Sequence, residues 1–147
     1  MIVYFLRGLP GAGKSALANE LLNVHADATI AWGDEEKAIS IEADDYFIDE
    51  NGEYNFDPGK LEEAHSYCRE RYQKALHEHV NCIIVSNVSA EKKHVDWYKE
   101  EAELYGYMFI SLIVENRDQR KSIHNVPAKS VQNMARKFDI QLGPTEY

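Results

Sequence analysis

Cysteine is scarce in this chain: Cys68 and Cys82 are its only two in 147 residues, and they form no CxxC pair. A disulfide framework or a cysteine zinc site is therefore not expected. Both thiols are read as small core groups in a reducing, cytoplasmic setting. Positive charge is also in short supply, with 16 Lys and Arg against 25 Asp and Glu, a net −9. Coating nucleic acid without regard to sequence needs the opposite balance, so that class is disfavoured while a local basic groove is not. Long apolar runs are missing too. None approaches the roughly 20 residues that span a bilayer, and the run Ile2–Leu6 meets Arg7 and Gly8 too soon to be a secretory signal. No membrane role is expected. With neither an internal repeat nor a low-complexity linker, the length fits one domain over residues 1–147.

What the chain does have is alternation. Ile2–Leu6, Ala38–Glu42, Cys82–Val85 and Tyr107–Val114 read as buried strands. Helical patterns lie between and after them, over Lys14–Asn23, from Asp57-Pro58 through Leu61, Ala64, Cys68, Tyr72, Ala75 and Leu76, around Val95, Tyr98, Ala102 and Tyr105, and over Pro127–Phe138. Ser89 is a candidate cap for the third helix and Gly106 its stop. Asp44–Asp57 reads as a loop turning at Asn51 and Gly52. Continuous apolar strands separated by helices imply an α/β fold, a parallel sheet of four or five strands with helices on both faces. Ligands of such sheets bind beyond the carboxyl ends of the strands, so the residues just after each strand become the candidates.

After the first strand stand Gly8, Leu9, Pro10, Gly11, Ala12, Gly13, Lys14 and Ser15, which satisfy the phosphate-loop pattern G-x-x-x-x-G-K-[ST]. The glycines open backbone conformations in which N–H groups approach phosphate oxygens, and the helix that follows, starting with Ala16, offers its positive end to the same anion. Lys14 is suited to the β- and γ-phosphates and the Ser15 hydroxyl to magnesium. A nucleoside triphosphate with Mg2+, ATP first, is the expected ligand.

Two further stretches fall on the same sheet edge. Glu42, Ala43, Asp44, Asp45, Tyr46 and Phe47 follow the second strand. A carboxylate there can take a proton from an attacking hydroxyl or orient magnesium, and an acidic solvated turn has the same spelling. Between residues 117 and 137, Arg117, Arg120, Lys121, Lys129, Arg136 and Lys137 face a single acid, Asp118. The connection 118–124, with Arg117 beside it, is placed to fold over the phosphates as a lid; Lys129, Arg136 and Lys137 equally suit an exposed helix face. His65 and Cys68 share a helix face without a second pair to complete a metal site, so they are expected to be core or supporting groups.

Taken together, these segments resemble the P-loop kinase family typified by the bacteriophage 5′-hydroxyl polynucleotide kinase and its small single-domain relatives. The likeness covers nearly the whole chain. It rests on Gly8–Ser15, Glu42–Phe47, Gly52–Pro58, Leu61–Cys68 with Ala64 and His65, Asn87 to Ser89, and His124 to Pro127 followed by Met134. The resemblance implies a P-loop three-layer sandwich that moves the γ-phosphate of ATP to a hydroxyl. It makes Asp44 the general base, with Lys14, Arg117 and Lys121 holding the transferred group. Asp45, Tyr46, Arg120 and His124 are then candidates on the acceptor side, and Ser15 and Asp44 for the metal. The acceptor it implies first is a 5′-hydroxyl polynucleotide end. A nucleoside or metabolite acceptor, or a nucleotide-binding module without transfer, remains open. The chain departs from the family twice: Phe47 replaces a substrate-binding arginine, and Ser86 stands where relatives usually carry an aspartate after the third strand.

Overall fold

The computed structural model describes residues 1–32, 37–88, 91–117 and 126–140, with backbone alone for 27–32. Four strands, β1 (Ile2–Arg7), β2 (Ala38–Ile41), β3 (Cys82–Asn87) and β4 (Met108–Ile113), form one sheet in the order β2-β3-β1-β4. Every pairing is parallel. Helices α1 (Lys14–Trp32), α2 (Leu61–His77), α3 (Lys92–Leu104) and α4 (Ala128–Lys137) intervene or follow.

The alternation of β1 divides the interior. Val3 and Phe5 enter a large cluster with Ile83, Val85, and Ala64, Cys68, Tyr72 and Leu76 of α2, joined by Tyr98 and Ala102 of α3. Leu6 and Ile84 point to the opposite face, against Ala18 of α1 and its partly buried neighbours Leu17, Leu21 and Leu22. Three layers result, because strands buried on both faces need helices on both. Tyr72 shows how α2 and α3 are locked together: its ring is fully buried and its hydroxyl donates to the Tyr98 carbonyl at 2.8 Å.

Helix α1 runs past Asn23 to Trp32. The sequence holds no Gly or Pro between those residues, so nothing local stops it. The acidic loop is also more ordered than its composition suggests. Residues Ala43–Phe47 form a 3-10 turn, and Ile48 bridges Tyr54 in antiparallel fashion. Asp57 caps as expected, its side chain accepting from the Gly59 N–H at 2.8 Å, but it caps a short 3-10 turn, Pro58–Lys60, that leads into α2. The flanking residue of α3 is Glu91. Ser89 lies outside the described residues, as do Arg120, Lys121 and His124. No described helix is long and apolar enough to cross a membrane.

Candidate phosphate-binding site

The loop between β1 and α1 sits where the central strand ends. Gly13 adopts φ +94° and Gly11 φ +82°, a region that favours glycine. Gly8 is required for a different reason: a Cβ there would lie 2.5 Å from the Val114 carbonyl oxygen. Lys14 Nζ donates to the carbonyls of Gly8 at 3.0 Å and Leu9 at 3.2 Å, so the ammonium lies inside the curve of the loop. Burial lowers its pKa, and the negative charges of Glu42 and Asp44 oppose that shift.

Those two carboxylates come from the turn after β2. Their placement depends on Asn87 at the end of β3. This buried side chain accepts from the Ala43 N–H at 2.9 Å and donates to Cys68 Sγ at 3.3 Å, tying the turn to both sheet and helix. The adjacent aspartates then diverge. Asp45 accepts from the Glu42 N–H and is ion-paired with Arg71 of α2. Asp44 accepts a long hydrogen bond, 3.5 Å, from the Tyr54 hydroxyl. Burial, then the Asp44 charge, pushes the Tyr54 phenol up to about 12. Tyr46, which the sequence reading put on the acceptor side, donates to Glu63 at 2.6 Å. Phe47 is buried and packs edge-on against Tyr46, Tyr54 and Phe56, so this position serves the core.

Ser15 donates to Glu42 Oε2 at 3.2 Å. In sequence, Glu42 carries no signal beyond membership of the acidic turn. Burial raises its carboxyl pKa; hydrogen bonding from Ser15 and Ser86 opposes the shift, and Asp45 and Asp44 add to it. Ser86 Oγ is the one buried side-chain oxygen among the described residues without a well-formed hydrogen bond. No three His, Cys, Asp or Glu among those residues converge as a metal cage. A hydroxyl beside a carboxylate suits magnesium, which prefers one or two protein oxygens completed by phosphates and water.

On the other flank, Asn116 Nδ2 donates to the Gly11 carbonyl at 3.0 Å, which joins the end of β4 to the phosphate loop. Arg117 is paired with Glu115 at 3.0 Å, its side chain 83% exposed. Farther on, Arg7 donates to the Asp139 carbonyl at 2.7 Å and lies under the Phe138 ring, anchoring the segment after α4.

This arrangement of sheet, loop and helix can be set beside known proteins. No family model matches the chain. Over 107 residues it is 31% identical to human NEDD4-binding protein 2, covering 73% of this chain and 5% of that protein. It is 27% identical over 107 residues to Uncharacterized protein PM0531 of Pasteurella multocida (strain Pm70), covering 69% of this chain and 57% of the other. The chain thus spans a small part of the first relative's length and little more than half of the second's.

Solved structures share the fold more fully. Chaetomium thermophilum Kti12 in complex with ADP-AlF3 superposes with a TM-score of 0.65 at 13% identity, covering 94% of this chain and 80% of that one. The Pnkp1/Rnl/Hen1 RNA repair complex gives 0.63 at 16% identity, over 92% of this chain and 43% of the other. A gluconokinase from Sinorhizobium meliloti 1021 gives 0.53 at 15% identity, over 98% and 78%. Identities this low speak to fold alone. The chain shares their fold, a parallel α/β sheet covered by helices, with its glycine-rich loop at the junction of β1 and α1.

Proposed function

We propose that the chain transfers the γ-phosphate of ATP, bound with Mg2+, to a hydroxyl acceptor, and that a 5′-hydroxyl polynucleotide end is the first acceptor to test. The observation that carries this reading is the pairing of two groups across the sheet edge. The Asp44 carboxylate stands close enough to Lys14 for its charge to favour the lysine ammonium. In this reading the Asp44 carboxylate and the loop that would cradle the phosphates face one space. The loop N–H groups and Lys14 hold the phosphates, and Ser15 would hold the metal, which would supply charge neutralisation. Asp44 orients the acceptor hydroxyl and takes its proton. Arg117 reaches the transferred group from the β4 side.

An aromatic ledge beside Asp44 supports an acceptor that carries a base. Tyr54 and Phe56 lie with ring planes 12° apart, Phe56 is half-exposed, and the Tyr54 hydroxyl touches Asp44. The exposed Phe56 ring suits stacking of a base irrespective of its identity. The acidic flank of the same loop, with Asp49, Glu50, Glu53 and Asp57, favours a second reading in which the acceptor is a small nucleoside or metabolite.

Incubation of the full chain with labelled ATP, magnesium, and 5′-hydroxyl DNA or RNA oligonucleotides tests the first reading, beside an ADP-release screen of nucleosides and sugars. Lys14→Ala serves as the control and is expected to lose transfer by roughly 10²–10³-fold. Transfer to metabolites alone would replace the first reading with the second. Nucleotide binding with no transfer to any acceptor would leave a binding module.

A further inference from the structure

The end of β3 has no carboxylate, since Ser86 stands there, yet a carboxylate reaches the same place from the neighbouring strand. The register of β2 on β3 pairs Ile41 with Val85. The next residues, Glu42 and Ser86, therefore emerge side by side at the carboxyl edge, one strand spacing of about 4.8 Å apart. Ser15 selects between the candidate acids: its hydroxyl donates to Glu42 Oε2. Asp45 is engaged with Arg71 and the Glu42 N–H, and Asp44 with Tyr54. Ser86 Oγ, with only 4% of its residue exposed, is buried beneath this pair without a well-formed hydrogen bond.

We propose that Glu42 is the carboxylate ligand, direct or through water, of the divalent cation that enters with the nucleotide, acting together with the Ser15 hydroxyl. The inference rests on the nucleotide-binding reading above and assigns it a residue. Magnesium keeps much of its water and binds through one or two carboxylates plus phosphate oxygens, so one glutamate and one hydroxyl are a sufficient protein contribution. The extra methylene of glutamate over aspartate helps span the step from the neighbouring strand. Ser86 is small and uncharged, which leaves room for that reach and adds no competing charge.

The test measures ATP binding to the full chain by calorimetry, in EDTA and in Mg2+, and Mn2+ binding in the presence of ATP by the loss of the free-ion resonance signal. Glu42→Gln keeps the shape and the hydrogen bond to Ser15, and circular dichroism checks that it folds. The expected result is a loss of roughly 10–100-fold in cation affinity in the presence of ATP, with metal-free ATP affinity unchanged. The double variant Glu42→Ser with Ser86→Asp, which returns the acid to β3, should regain cation binding that Glu42→Ser alone lacks. Equal weakening with and without metal in Glu42→Gln would mean that the side chain only positions the loop, and would overturn the proposal. So would unchanged cation affinity, or wild-type ATP binding that is indifferent to metal. Absence of ATP binding by the wild type under both conditions would instead remove the nucleotide reading itself.

Discussion

The two flanks of the phosphate loop are built to opposite plans. On the β2–β3 flank, Asn87, Asp45 and Arg71 lock a 3-10 turn in place, and two carboxylates, Glu42 and Asp44, reach the loop from it. On the β4 flank, Asn116 donates to the Gly11 carbonyl of the loop, and Arg117 is exposed and paired with Glu115. One flank is tied down by these contacts; the other presents an exposed ion pair. That pair is cheap to open, because an exposed ion pair contributes about 0–1 kcal/mol. Under the proposed function, a carboxylate held by the turn beside an arginine that is easily released would be a workable division for phosphoryl transfer, where positioning and charge neutralisation dominate.

Three measurements would break or sharpen that contrast. The largest effect is expected from Asp44→Asn, which should lower transfer by roughly 10²–10⁴-fold with little change in ATP affinity. A parallel loss of ATP affinity would show that Asp44 shapes the loop and does not handle a proton. Next, Arg117→Ala should leave unfolding free energy within about 0.5 kcal/mol of wild type, while lowering transfer by roughly 10²-fold. Unaltered kinetics would reduce the β4 flank to scaffold.

The smallest effect is confined to alkaline solution and belongs to Tyr54. Its folded pKa of about 12 lies above the ordinary 10.0. The stability linked to this proton is therefore complete below pH 10 and is lost as pH rises toward 12, where the unfolded chain releases a proton that the folded one keeps. Urea unfolding between pH 9 and 11 should fall more steeply for wild type than for Tyr54→Phe. Identical slopes would mean that the phenol is less enclosed beside Asp44 than its position indicates.

Much of the architecture was legible beforehand because its signals are local. Apolar runs marked all four strands within a residue or two of their ends, and 3.6-residue periodicity marked Ala64, Cys68, Tyr72, Ala75 and Leu76 as the buried side of α2, while Leu61, on the same pattern at the start of the helix, is exposed. The helix expected over Lys14–Asn23 extends to Trp32 because no breaker in the sequence marks an earlier end. The order within the Asp44–Asp57 loop was invisible for a different reason. Its bridge from Ile48 to Tyr54 and its ring packing on Phe47 arise from contacts among residues whose composition reads as loop. Phe47 illustrates the same limit: in sequence it is a replacement for a substrate-binding arginine, and its packing into the core has no local signal.

By itself, the sequence determined the glycine-rich loop after β1, since glycine, lysine and serine at fixed spacing act through the backbone of one short segment. It also determined the parallel α/β plan, which follows from periodicity and burial. Only the tertiary structure distinguished Asp45, held by Arg71, from Asp44, or set Glu42 against Ser15. Those outcomes depend on the register of β2 on β3 and on a helix packed across them. Such pairings join residues far apart in the chain, and no local pattern encodes which of three neighbouring acids will face the loop.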